Sequence, residues 1–79
     1  MKFLTRDGCH LCDEARPVVQ RVARRLRVDV VEVDIDSDDD LTARYGLRIP
    51  VVLGDAGQVL GEGLIDAREL RRAMREVMG

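Results

Sequence analysis

The feature that most constrains this chain is Cys9-His10-Leu11-Cys12, which holds both of its cysteines at the junction between a short apolar run and its longest helical pattern. In the first turn of a helix, side chains three positions apart share a face, close enough for two sulfurs to bond. The pair can therefore open and close between dithiol and disulfide. A bridge across so short a loop constrains the unfolded chain little, which argues against a purely stabilising role. In a chain of cytosolic character, where the sequence places this one, two cysteines at this spacing read as catalytic, redox-sensing or metal-binding.

The flanking segments say what kind of scaffold carries the motif. Lys2-Phe3-Leu4-Thr5 predicts a short strand that Arg6-Asp7-Gly8 ends, with Gly8 permitting the turn into the motif. Leu11, Ala15, Val18, Val19, Val22, Ala23 and Leu26 recur at helical spacing, while Arg16, Gln20, Arg21, Arg24 and Arg25 fall on the other side. The spacing predicts an amphipathic helix from about Cys9 to Leu26, with Pro17 removing one hydrogen bond from its interior. Val28 to Ile35 alternates β-branched residues with acids and predicts a second strand with at least one buried face.

The run Asp36-Ser37-Asp38-Asp39-Asp40 is rich in capping residues and leads into a short helix, Leu41 to Tyr45, with Leu41 and Tyr45 inward and Gly46 as its stop. Pro50 to Leu53 and Gln58 to Leu60 predict a hairpin about Gly54-Asp55-Ala56-Gly57. Asp66 to Glu69 has the form of a capping box, opening a helix whose apolar stripe is Leu70, Ala73, Met74 and Val77. The predicted order is β-α-β-α-β-β-α.

Residues 1–79 suffice for one domain with one site, and a chain of this size has little surplus core. A net charge of -2 supplies no global attraction for nucleic acid or an anionic membrane. Arg21, Arg24, Arg25 and Arg27 read as a solvated helix face and its end. No apolar run approaches a membrane span, and Met1-Lys2-Phe3-Leu4 is too short for a secretory signal, so the expectation is a soluble, cytoplasmic monomer.

The element order, C-H-L-C after the first strand, a proline five residues beyond Cys12 and Arg48-Ile49-Pro50 opening the third strand resemble the thioredoxin superfamily. Size and organisation resemble its glutaredoxin-like branch, in particular small bacterial glutaredoxin-like proteins whose motif reads C-H-L-C-D-E-A, as Cys9 to Ala15 do. The resemblance implies an α/β fold of thioredoxin-like, glutaredoxin type, with a four-stranded mixed sheet and helices on both faces. It implies Cys9 and Cys12 as catalytic residues, with no bound cofactor beyond their own disulfide. It also implies a cis Pro50 packed against the two sulfurs and Ile49 pairing with substrate backbone.

Glutaredoxins carry a basic residue three positions before the first cysteine, which Arg6 matches, and a G-G-x-x-D turn for the γ-glutamyl end of glutathione. Gly63-Leu64-Ile65-Asp66 matches only the last four positions, Glu62 replaces the first glycine, and Leu11 stands where a tyrosine is common. Asp66 is also fully explained as a helix cap. Arg6, Leu11, Ile49, Pro50, Gly63 and Asp66 are thus the substrate-binding candidates.

The chemistry follows from the position of Cys9. A free thiol is mostly protonated at neutral pH, whereas a cysteine at a helix start meets unpaired N–H groups and the positive end of the helix dipole, both favouring the thiolate. Cys12, a turn deeper with its amide committed to the helix, reads as the resolving thiol. The expected function is a thiol-disulfide oxidoreductase that reduces protein disulfides or glutathione mixed disulfides, with a reductase as electron donor. The alternative is a soluble carrier of a soft metal ion, since copper and zinc carriers also present C-x-x-C between a first strand and helix. Such carriers resemble β-α-β-β-α-β domains, whereas this chain ends in a helical pattern. A structural zinc site lacks its second ligand pair, because the one histidine is His10 itself.

Overall fold

A computed structural model describes all 79 residues. Strand β1 (Lys2–Thr5) leads through Gly8, whose φ of 74° needs a glycine, into helix α1 (His10–Leu26). Strand β2 (Val31–Asp34) follows, then a 3₁₀ turn (Ile35–Ser37) and helix α2 (Asp39–Tyr45). Strands β3 (Val51–Leu53) and β4 (Val59–Glu62) form a hairpin, and helix α3 (Ala67–Met78) closes the chain.

The sheet order is β2-β1-β3-β4, with β1 parallel to β2 and antiparallel to β3, which is antiparallel to β4. The parallel connection between β1 and β2 is made by α1, as parallel neighbours require a crossover.

Alternation along the central strands divides the core between two faces. Phe3 and Val52 are paired across β1 and β3 and pack with Ala15, Val19 and Val22 of α1 and Leu70 and Met74 of α3. Their neighbours Leu4 and Val51, one position along, pack with Ile35 and Leu53 on the opposite face, where Leu41 and Tyr45 of α2 cover them. Helices therefore lie on both faces of a four-stranded mixed sheet, as the resemblance implies.

Two strand boundaries differ most from the sequence reading, each for a reason in the pairing. β2 begins at Val31 rather than Val28, because β1 supplies only four partners and the Val28 amide is taken by the Ala23 carbonyl beyond the end of α1. As an edge strand it leaves Val31 63% exposed, so the expected buried face reduces to Val33 and the following Ile35. β4 runs on to Glu62, since its ladder with β3 continues through Gly61 to Val51.

Gly46 does end α2, but with φ −54° rather than a left-handed conformation. Glycine is required there by closeness: a Cβ would stand 2.6 Å from the Thr42 carbonyl oxygen. The left-handed helix end belongs instead to Arg27 after α1, with φ 56°, where its amide bonds back to the Ala23 and Arg24 carbonyls.

Candidate functional site

Cys9 is the N-cap of α1 and Cys12 is its third residue, with Cα atoms 5.2 Å apart and the sulfurs joined in a disulfide. The first backbone bond of the helix runs from the Asp13 amide to the Cys9 carbonyl at 3.1 Å, so the Cys12 amide has no helical acceptor. It donates instead to Cys9 Sγ at 3.1 Å. This corrects the sequence expectation that the Cys12 amide is committed to the helix: it is the group that caps Cys9. Accessibility separates the two sulfurs, because Cys9 is half-buried whereas Cys12 is 0% exposed.

Charges near the motif are largely paired away from it. Arg6 is turned to Asp36, which accepts from Nε at 3.1 Å and from the terminal nitrogen at 2.9 Å. That bonding raises the Arg6 pKa further, and it directs the guanidinium toward the turn after β2. Asp13 accepts from Arg16 at 3.0 Å, and Arg16 clasps Glu32 with two further bonds of 2.9 Å. The Glu32 carboxylate also accepts from the buried Thr5 hydroxyl, and these bonds, Arg16 first, hold its pKa below the ordinary range. His10 is exposed, 3.5 Å from the Glu14 carboxylate. The positive end of α1 is thus the main influence directed at Cys9 itself.

Ile49-Pro50 is a cis peptide bond, as the resemblance implies, with Pro50 buried and Ile49 half-buried at the start of β3. The Pro50 carbonyl accepts from the Gly63 amide at 2.9 Å, which ties the β4–α3 loop to the cis-proline turn. Gly63 has φ 67°, so it supplies a left-handed residue at that junction.

Leu11, Gly63 and Asp66 line one shallow groove of about 240 Å³ with Glu14, Ala15, Leu64 and Ile65. Within it Leu64 is 81% exposed, and the Asp66 carboxylate accepts from the Glu69 amide at 3.0 Å as the N-cap of α3. The structure therefore gathers Leu11, Gly63 and Asp66 beside the disulfide-bearing turn, links Pro50 to Gly63, and sends Arg6 to Asp36.

Sequence reasoning passed over Arg16, Glu32 and Thr5, whose network braces the helix turn after Cys12, and the Arg48–Glu62 pair at 2.9 Å beneath which Tyr45 lies 5.3 Å from the Arg48 carbon. The partners lie 14 or more positions apart in the chain, beyond what local spacing signals.

The glutaredoxin-like domain family (DUF836) matches residues 1–75. This chain belongs to that family. A curated relative described as a probable thioredoxin, from Archaeoglobus fulgidus, is 31% identical over an 83-residue alignment that covers all of this chain and 89% of the relative. Protein XcR50 from X. campestris superposes with a TM-score of 0.79 at 33% identity, covering 95% of each chain. Thioredoxin 1 from Thermosipho africanus superposes with a TM-score of 0.66 at 15% identity, covering 98% of this chain and 91% of that one, and so shares the fold. The glutaredoxin-like protein is thus a thioredoxin-fold member whose cysteine pair is equipped for thiol redox chemistry.

Proposed function

We propose that this glutaredoxin-like protein is a thiol-disulfide oxidoreductase that reduces disulfides of partner proteins through Cys9 and Cys12. The observation that carries the reading is the asymmetry of the pair: Cys9 is half-exposed and capped by the Cys12 amide, and its partner sulfur is buried. In the reduced state the Cys9 thiolate attacks one sulfur of a substrate disulfide, and the other substrate sulfur leaves and takes up a proton. Cys12 then loses its proton and attacks Cys9 Sγ, forming the protein disulfide and releasing the second substrate thiol. Two electrons and two protons pass to the substrate, and a dithiol donor of the reductase class restores the pair.

Protein disulfides are favoured over glutathione mixed disulfides by the surroundings of the groove. A glutathione site needs charge complementary to two carboxylates, yet Arg6 is satisfied by Asp36, and Glu62, where glutaredoxins have the first glycine, is paired with Arg48. The exposed Leu64 and Leu11 suit an apolar peptide segment better than a charged tripeptide. Gly63 and Asp66 in the same groove keep glutathione as the second reading. The metal-carrier reading is disfavoured by the element order, in which helix α3 follows β4, and by the presence of Ile49-Pro50 ahead of β3.

The test is turnover of a model disulfide with thioredoxin reductase and, separately, with glutathione plus its reductase. Faster turnover with thioredoxin reductase is expected. Turnover only with glutathione would make glutathione the cosubstrate, and no two-electron change of the pair at any redox poise would overturn the oxidoreductase reading.

A further inference from the structure

Charge is strongly segregated in this protein although its net value is only -2. Asp36, Asp38, Asp39 and Asp40 are exposed on the α2 side of the sheet, while the α1–α3 face carries a field of arginines. Arg21 and Arg25 of α1 face Arg68 and Arg71 of α3 across a groove of about 220 Å³ floored by Val22 and Ala67. Arg72 and Arg75 continue the field along α3, with two carboxylates beside it, Glu69 and Glu76. All six arginines are at least partly exposed, and the arginine ion pairs of the chain involve only Arg6, Arg16, Arg44 and Arg48.

Such a concentration of unneutralised charge costs self-repulsion within the fold and adds nothing to its packing, since the core positions of these helices lie on the inner side. Arg68, Arg71, Arg72 and Arg75 recur at i, i+3, i+4 and i+7, a single stripe about 10 Å long. A partner segment with carboxylates at the same helical spacing would match it, each arginine offering a fork suited to a carboxylate.

We propose that the α1–α3 arginine face docks an acidic segment of the redox partner. The proposal rests on the oxidoreductase reading, because it concerns where that partner sits. Leu11 and Ala15 edge the groove beside the disulfide, and Arg21 and Arg25 lie roughly 15 Å further along the same helix. One partner can therefore present its cysteine to Cys9 and its acidic segment to the arginines together.

The chemistry of the face selects this occupant over others. Single-stranded nucleic acid would be held by aromatic stacking as well as charge, and the two aromatic residues are elsewhere, Phe3 in the core and Tyr45 beneath Arg48. An anionic membrane would take an apolar cluster set among the cations, and here the apolar groups of the groove, Val22 and Ala67, form its floor, while the exposed Val77 and Met78 lie beyond the stripe in the last turn of α3.

The test uses two synthetic peptides carrying the same cysteine disulfide, one with glutamates at i, i+3, i+4 and i+7 and one with glutamines there. The reduced protein should react about tenfold faster with the glutamate peptide at roughly 20 mM salt, and the advantage should collapse at about 0.5 M. Arg68→Gln/Arg71→Gln should lose the advantage while reacting normally with the glutamine peptide and melting as the parent does. Equal rates for the two peptides in the parent protein would overturn the proposal.

A binding arm separates this outcome from failure of the redox reading. Fluorescence anisotropy with a cysteine-free glutamate peptide should show salt-sensitive binding that Arg68→Gln/Arg71→Gln abolishes, whether or not exchange occurs. Binding of an oligouridylate or of vesicles containing phosphatidylserine through the same arginines, without binding of the glutamate peptide, would overturn it in favour of nucleic acid or membrane.

Discussion

The Cys12 amide donates to Cys9 Sγ at 3.1 Å, so the two ends of the motif are joined by a hydrogen bond as well as by the disulfide. Once the disulfide opens, that amide and the positive end of α1 are directed at Cys9, and both stabilise its anionic form. Cys12 receives no equivalent donor in its buried position. Attack on substrate should start at Cys9. Cys9→Ser should abolish exchange, and Cys12→Ser should accumulate a mixed disulfide on Cys9, detectable by mass spectrometry after reaction with a disulfide peptide. Trapping by Cys9→Ser and not by Cys12→Ser would reverse the assignment.

Acid stability should report the Glu32 network. Bonds from Arg16, then from Thr5, hold the folded-state pKa of Glu32 below its ordinary value of 4.5. A carboxylate whose pKa falls on folding adds stability that is complete above its unfolded value and is lost as pH falls through the folded one. The contribution is thus present at pH 7, begins to fall below about pH 4.5 and is lost as pH drops through the lower folded-state value. Because the Glu32 side chain is 40% exposed, solvent screens the pair and its worth is at most about 1 kcal/mol. Urea midpoints of Glu32→Gln and the parent should differ at neutral pH and converge toward pH 3.

Met74 tests the core that seats both α1 and α3. It is 0% exposed and belongs to the cluster of Phe3, Ala15, Val19 and Leu70. Met74→Ala should cost about 2–5 kcal/mol through lost transfer energy and the cavity left behind. That is a large share of the stability of so small a domain, and chemical denaturation should show a clear fall in midpoint with little change in slope.

The elements legible in the sequence were those whose signal is local. Helical spacing from Leu11 to Leu26 and acids ahead of α2 and α3 placed the helices, and Gly57, with φ 85°, marked the hairpin turn. The start of β2 at Val31 was not legible, because it depends on how many residues β1 can pair. Nor was the left-handed Arg27, since nothing about an arginine signals that conformation.

Within the site, Cys9, Cys12 and the cis Pro50 followed from motif and resemblance, whereas the fate of Arg6 depended on Asp36, 30 residues away. A sequence shows that Arg6 is charged; only the packed turn after β2 shows where the charge goes.

Gly63 joins the two loops around the cis-proline turn through its amide bond to Pro50. A Cβ at position 63 meets nothing within 4 Å, so any penalty comes from its φ of 67° alone. Gly63→Ala should therefore lose about 1 kcal/mol, and Gly63→Asn, which tolerates left-handed backbone, should lose less. Equal losses for the two variants in thermal denaturation would place the cause in side-chain contact instead.

Asp66 separates a structural role from a substrate role. Its carboxylate caps α3 by accepting from the Glu69 amide, and it also lines the groove with Leu11 and Gly63. Asp66→Ala should cost about 1 kcal/mol, and Asp66→Ser should recover most of it, because serine caps helices nearly as well. Serine carries no charge, so it cannot replace a carboxylate that holds the ammonium of a γ-glutamyl group. With protein disulfides as substrate, Asp66→Ser should match the parent both in melting temperature and in the KM for a glutathione mixed disulfide. A restored melting temperature with a raised KM would assign Asp66 to glutathione and reverse the substrate preference proposed above.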